Sequence, residues 1–223
     1  MSALSYSERA ATGTPRGVLV LHHGRGADEH DLLGLADIFD PDGELHVVAP
    51  RAPLKLPGWS GYHWYVVPRV GYPDPDTFTA AYEQLGALHD ELWERTGVGP
   101  EQTVLGGFSM GAVMSYALGL GEDRPRPRGI LALSGFIPTV PGWAPALATS
   151  EGLNVFIGHG SRDEVIAVDF GRRARAALEA AGAVVEYDES TGGHAVGAER
   201  AARAARWIAR TLGLERGSAG GAD

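Results

Sequence analysis

No cysteine occurs in the 223-residue chain, which excludes disulfides, thiolate metal ligands and a thiol nucleophile while leaving the compartment open. Lysine is almost missing too. Lys55 stands alone, and arginine supplies the rest of the positive charge. Acidic residues outnumber basic ones 28 to 19, for a formal charge of -9, so nucleic acid is an unsuitable partner: phosphate binding needs a Lys/Arg surface that displaces counterions. Long hydrophobic runs are also lacking, and no segment reaches the ~20 apolar residues of a membrane span. The opening "MSALSYSERAATGTP" has neither the basic start nor the apolar segment of roughly 7 to 15 residues found in secretory signals. A cytoplasmic protein without a membrane span is the expectation. No internal repeat is visible.

What is present is 44% apolar residues, enough for one sizeable core. A single domain over residues 1–214 is expected, followed by a disordered tail at 215–223, since "ERGSAGGAD" has little to bury. Strand patterns at residues 17–23, 45–50, 103–108, 129–135, 154–160 and 183–189 are mainly apolar, as strands covered on both faces should be. Helical spacing runs over 28–39, 76–96, 110–121, 165–181 and 196–212. The alternation predicts an α/β fold, a mostly parallel twisted sheet with helices on both faces. "ALSYSERA" adds an antiparallel edge strand. In the last helix Ala201, Ala205, Ile208 and Leu212 form the apolar stripe, Arg200, Arg203, Arg206 and Arg210 read as a solvated face, and Gly213 as the stop.

Two segments escape both periods: residues 51–75, rich in Pro, Gly and aromatics, and residues 138–152. Each follows a strand's carboxyl end, where open α/β sheets bind ligands, so both are expected to wall a pocket. Within and beside them Trp59, Trp64, Tyr65, Phe136 and Ile137 are the candidate substrate contacts, since aromatic side chains offer much apolar area at little entropic cost.

"GGFSMGA" ends one strand and opens a helix, which is the setting of a nucleophile elbow around Ser109. The turn needs glycine on both sides, Gly107 and Gly111, because the serine backbone is strained and packing beside it is close. Helix amides beginning at Met110 then point to where negative charge develops, making Met110 a candidate oxyanion donor. A serine hydroxyl is a weak nucleophile until a base takes its proton. Of eight histidines, His194 in "STGGHAV" stands between the last strand and the last helix, on a glycine-flexed loop that can return over the sheet edge. The carboxylate that must orient it is Asp163, just after "VFIGHGSR", with Glu164 and Asp169 as rivals and a helix cap as its alternative duty. Ser109, Asp163 and His194 then follow one of the known chain orders of serine hydrolases. His22 and His23 do not suggest a metal: neighbours in a strand point to opposite faces, and no further ligand falls at a telling spacing.

Through "LHHGRGADEHDL", "GGFSMGA", "GHGSRDEVI" and "GGHAV" the chain resembles the α/β-hydrolase superfamily, and within it the small carboxylesterase/phospholipase group that includes the acyl-protein thioesterases. The resemblance implies a hydrolase without a large cap domain, working through an acyl-enzyme and without a cofactor. It also implies a second oxyanion amide at Arg25, where familiar members carry an apolar side chain; at Met110 thioesterases of the group often have glutamine. The Arg25 guanidinium has two readings, an ion pair with Asp28 or Asp31, or a contact with a polar or anionic substrate group. The expected activity is hydrolysis of short to medium carboxylic esters by a monomer or homodimer. Alternatives are an acyl-protein thioesterase or lysophospholipase, a hydrolase of aromatic and quinone-related esters, a perhydrolase, and a hydrolase-fold binding protein without chemistry.

Overall fold

The computed structural model describes residues 4–215, so the expected tail lies, apart from Glu215, outside the described residues. Strands β1 (Tyr6–Arg9), β2 (Gly17–His22), β3 (Leu45–Pro50), β4 (Thr103–Phe108), β5 (Gly129–Leu133), β6 (Asn154–Gly160) and β7 (Val184–Ser190) form one seven-stranded sheet in the order β1-β3-β2-β4-β5-β6-β7. All neighbours pair in parallel except β1, which runs antiparallel to β3 as the sequence predicts. Val18, Val20, Val48 and Leu105 face one core, and the alternating Leu19, Leu21, Val47 and Val104 face the other. Burial on both sides is why these segments read as unbroken apolar runs.

Helices α2 (Pro75–Thr96), α3 (Met110–Leu120) and α4 (Asp169–Ala180) cover the first face, and α1 (Ala36–Phe39) with α5 (Ala198–Leu212) the second. Helix α2 starts where Pro75 follows Asp74, whose carboxylate accepts the Thr77 amide at 3.0 Å, and it ends on Gly97 at φ 68. From β2 the chain crosses to β3 on one side, while from β4 it crosses to β5 on the other. The carboxyl ends of β2 and β4 therefore flank a crevice, the place where open sheets of this kind receive ligands.

Three expectations change. The helix predicted over 28–39 is only a 3-10 turn at Leu32–Leu35 followed by the single turn α1, because Asp28 accepts the His30 amide at 2.9 Å and Gly34 interrupts the run. The helix predicted from 165 begins at Asp169, since Asp163 takes up the amides of Val165 and Ile166 first. The arginines of α5 are not simply a solvated face. Arg200 is buried and donates to Asp188 at 2.8 Å, Arg203 reaches Asp188 at 2.6 Å, and Arg210 reaches Glu186 at 2.7 Å. They rivet α5 to β7, and Arg200 also donates to the Ala195 carbonyl at 3.1 Å, beside His194.

Buried histidines lie under the sheet's crevice. His22 Nδ1 donates to Ser115 Oγ at 2.8 Å, Ser115 donates on to the Gly111 carbonyl at 3.0 Å, and His22 Nε2 meets His89 Nε2 at 3.4 Å. Burial, and then the charge of Arg124, pushes His89 down to about 3, so it remains neutral in the fold. Unfolded, it protonates near its ordinary 6.5. Its contribution to stability is therefore full above pH 6.5 and is lost as the pH falls toward about 3. The unfolding free energy from urea titrations across that range is expected to drop by an amount on the order of a few kcal/mol, and His89→Leu to flatten the drop. An unchanged slope in that variant would contradict the assignment.

Candidate active site

Ser109 sits between β4 and α3 at φ 56, ψ -119, a backbone conformation that L residues rarely take. Its amide donates to the Leu133 carbonyl at 2.8 Å, tying the turn to β5. The flanking glycines answer to space. A Cβ on Gly111 would lie 1.9 Å from the His22 carbonyl oxygen, and one on Gly107 2.4 Å from the Gly111 backbone. The helix thus packs directly onto the strands and lifts the serine hydroxyl above the sheet.

The three residues singled out from the sequence meet over the sheet's carboxyl edge. His194 Nε2 lies 2.9 Å from Ser109 Oγ, and Nδ1 lies 2.7 Å from Asp163 Oδ2. The Phe108 ring packs against His194 at 4.8 Å between centroids. Asp163 Oδ1 accepts the amides of Val165 at 2.9 Å and Ile166 at 2.8 Å, so the cap-like duty and the orienting position coexist in one carboxylate. Burial works to raise the Asp163 pKa, but the hydrogen bonds from His194 and from the Ile166 and Val165 amides outweigh it and hold the group below its usual range. Its rivals lie elsewhere: Glu164 is exposed, and Asp169 pairs with Arg172 at 3.0 Å.

His159 was not singled out, yet it braces this loop. Its Nε2 donates to the Ile166 carbonyl at 2.8 Å and passes 3.5 Å from Asp163 Oδ2, and burial keeps it below its ordinary pKa. The sequence signal was its place in "GHGSRD", four residues before the acid.

A cavity of about 330 Å³ opens over Ser109 and His194. On one side stand Gly24, Arg25, Ala27 and Asp31, following β2, with Trp59 from the loop after β3; elsewhere Tyr65, Val67, Val70, Phe136, Val165 and Ile166 give an apolar lining. The aromatic loop reaches the cavity because it is laced to the β2 turn: Gly26 donates to the Tyr62 carbonyl at 2.9 Å, and Tyr62 to Ala27 at 2.8 Å. Of the candidate substrate contacts, Trp59, Tyr65 and Phe136 line the cavity. Burial pushes the Tyr65 phenol well above its usual range, so it stays a neutral hydroxyl.

Two predicted contacts lie elsewhere. Trp64 is fully buried beneath the loop, where its indole N–H donates to the His23 carbonyl at 2.9 Å and its amide meets Met110 Sδ at 3.3 Å. Ile137 lines a neighbouring cleft with Tyr72, Leu147 and Phe170, and residues 138–152 likewise border side clefts instead of this cavity. Their places are taken by Val67, Val70, Val165 and Ile166, the last two standing two and three residues after the acid in sequence.

Met110 heads α3, so its amide is among the first-turn donors that have no carbonyl within the helix. Arg25 follows Gly24 on the facing wall. Its guanidinium does not form the expected pair with Asp28 or Asp31; it stacks over the Trp59 ring, 4.7 Å from the centroid. His22 and His23 have separate partners, since His23 Nδ1 donates to the Gly24 carbonyl at 2.8 Å while Nε2 accepts the Ala52 amide at 3.0 Å. No group of three or more His, Asp or Glu with metal-holding geometry occurs among the described residues. No helix among them is long and apolar enough to cross a membrane.

The model of the phospholipase/carboxylesterase family matches residues 9–212. Acyl-protein thioesterase 1 of Debaryomyces hansenii is 28% identical over 182 residues, covering 74% of this chain and 77% of the relative. Among solved structures, esterase PE8 superposes with a TM-score of 0.80 at 29% identity over 94% of this chain and 100% of that one. The Bacillus cereus carboxylesterase does so at 0.82 and 24% identity, over 93% and 94% respectively, a likeness of fold.

Proposed function

Because the chain belongs to the phospholipase/carboxylesterase family of α/β-hydrolases and is a serine hydrolase, we propose that it cleaves short to medium carboxylic esters with Ser109 as nucleophile, His194 as base and Asp163 as its orienting carboxylate. In this reading Ser109 Oγ attacks the ester carbonyl carbon while His194 Nε2 takes the hydroxyl proton. The carbonyl oxygen becomes an oxyanion between the backbone amides of Met110 and Arg25. As the tetrahedral species collapses, the carbon–oxygen bond to the alcohol breaks and His194 returns the proton to the departing oxygen. Water then repeats the sequence on the acyl-enzyme, which releases the acid and restores the serine.

The observation that carries this proposal is the bridging imidazole, 2.9 Å from Ser109 Oγ on one side and 2.7 Å from Asp163 on the other. The chain-length reading is supported by a cavity of about 330 Å³, near the lower end of ligand-site volumes, with Phe136 and Ile166 in its apolar lining. A thioester reading has its support in the relative from D. hansenii, named an acyl-protein thioesterase. The test labels the protein with a fluorophosphonate probe and then compares p-nitrophenyl esters of rising chain length with acyl thioesters and lysolipids. Adduct formation on Ser109 and fastest turnover of the short esters are expected. Protein that binds esters yet neither reacts with the probe nor turns any over would make it a ligand-binding member without chemistry, while preference for long thioesters would favour the thioesterase reading.

A further inference from the structure

Among the described residues Arg25 is the only arginine or lysine lining the cavity, and no carboxylate among them comes within 4.0 Å of its guanidinium. None of the nearby acids pairs with it. Asp28 receives the His30 amide at 2.9 Å, Glu29 is held by Arg51 at 2.6 Å, and Asp31, also on the cavity wall, forms no ion pair with Arg25. A chain with a formal charge of -9 thus leaves an exposed cation without an ion-pair partner on the wall of its reactive cavity.

Trp59 explains how it is held. The Arg25 Cζ lies over the Trp59 ring, 4.7 Å from its centroid, and no hydrogen bond or ion pair to another side chain engages the guanidinium N–H donors, which suit a planar anion. Trp59 in turn meets the His63 ring edge-on at 5.3 Å. Burial, followed by the Arg25 charge, keeps His63 below its ordinary pKa, in keeping with a cation that has no counter-ion of its own. Along the apolar side of the cavity Val67, Val70, Phe136, Val165 and Ile166 offer an anion nothing, so the charged end of a substrate has one place to go.

We infer that Arg25 determines specificity for esters bearing a carboxylate a few bonds from the scissile carbonyl. The assignment rests on the hydrolytic reading above and names the substrate class for the same cavity. An ion pair fully in water contributes little, whereas a bidentate pair against low-dielectric walls contributes more. The expected discrimination is about 5- to 20-fold in kcat/KM.

The experiment compares two matched pairs by pH-stat titration: monoethyl succinate against ethyl butanoate, and acetoxyacetate against propyl acetate. The first pair places the anion in the acyl part and the second in the alcohol part. In Arg25→Ala the charged-to-neutral ratio of kcat/KM should fall about 5- to 20-fold in at least one pair, mainly through KM. Arg25→Lys should keep part of the ratio, because the charge survives but the planar fork does not. Trp59→Ala should lower it as well by freeing the guanidinium. Equal losses on charged and neutral esters in both pairs would overturn the assignment while leaving the hydrolase intact. A wild type that turns over none of the four esters would instead overturn the hydrolytic reading, and this assignment with it.

Discussion

Ser109→Ala is expected to lower kcat/KM on a short p-nitrophenyl ester by about ten-thousandfold or more, because removing the nucleophile leaves only binding and the oxyanion amides. The fold should survive, since the side chain lost is one hydroxyl. A second variant at the same position separates chemistry from strain. Ser109 is held at φ 56, ψ -119, where a Cβ is penalised and glycine is not. Ser109→Gly should therefore be as inactive as the alanine variant yet more stable than it by about 1 kcal/mol. For a domain of this size that corresponds to roughly 2 to 4 °C in Tm. Activity above a hundredth of wild type in the alanine variant would remove Ser109 from its role. A glycine variant no more stable than the alanine one would remove the strain.

Asp163→Asn should be nearly as severe, for a reason legible in its hydrogen bonds. One carboxylate oxygen accepts two amides, Val165 and Ile166, and only an oxygen can do so. The introduced amide must consequently turn its NH₂ toward His194 Nδ1. A donor there leaves Nδ1 as acceptor, which moves the imidazole proton to Nε2. That nitrogen, 2.9 Å from Ser109 Oγ, can no longer take the serine proton. Loss of about a thousandfold to ten-thousandfold in kcat is expected with little change in KM. Crystal or NMR data should show the same ring position with the opposite tautomer. A variant within tenfold of wild type would mean that Asp163 does not orient the base.

Much of this is legible in the sequence alone. The strands announced themselves because a parallel strand between two helical layers has no solvent face, and the meeting of Ser109, Asp163 and His194 followed from strand ends that all point one way. Features set by distant partners stayed hidden. Helical spacing alone presented Arg200 and Arg203 as surface, whereas their partner Asp188 lies across the sheet edge on β7. Trp64 and Val67 come from the same loop, and only the lacing of Tyr62 to Gly26 and Ala27 determines which of them sinks into the core and which faces the cavity. For Arg25 the acids nearby in sequence were plausible partners, and a ring 34 positions away proved to be the actual one.

The route of the chain through the sheet governs when activity can first appear. Ser109 and His194 are 85 residues apart, with β5 and β6 laid down between them, and His194 arrives only after β7 and is steadied by α5. Contacts spanning such separations close slowly and late. Turnover is accordingly a reporter of the final docking event. A refolding chain can regain its helices and most of its ladder while remaining wholly inert, until the outermost strand seats and carries the imidazole into place.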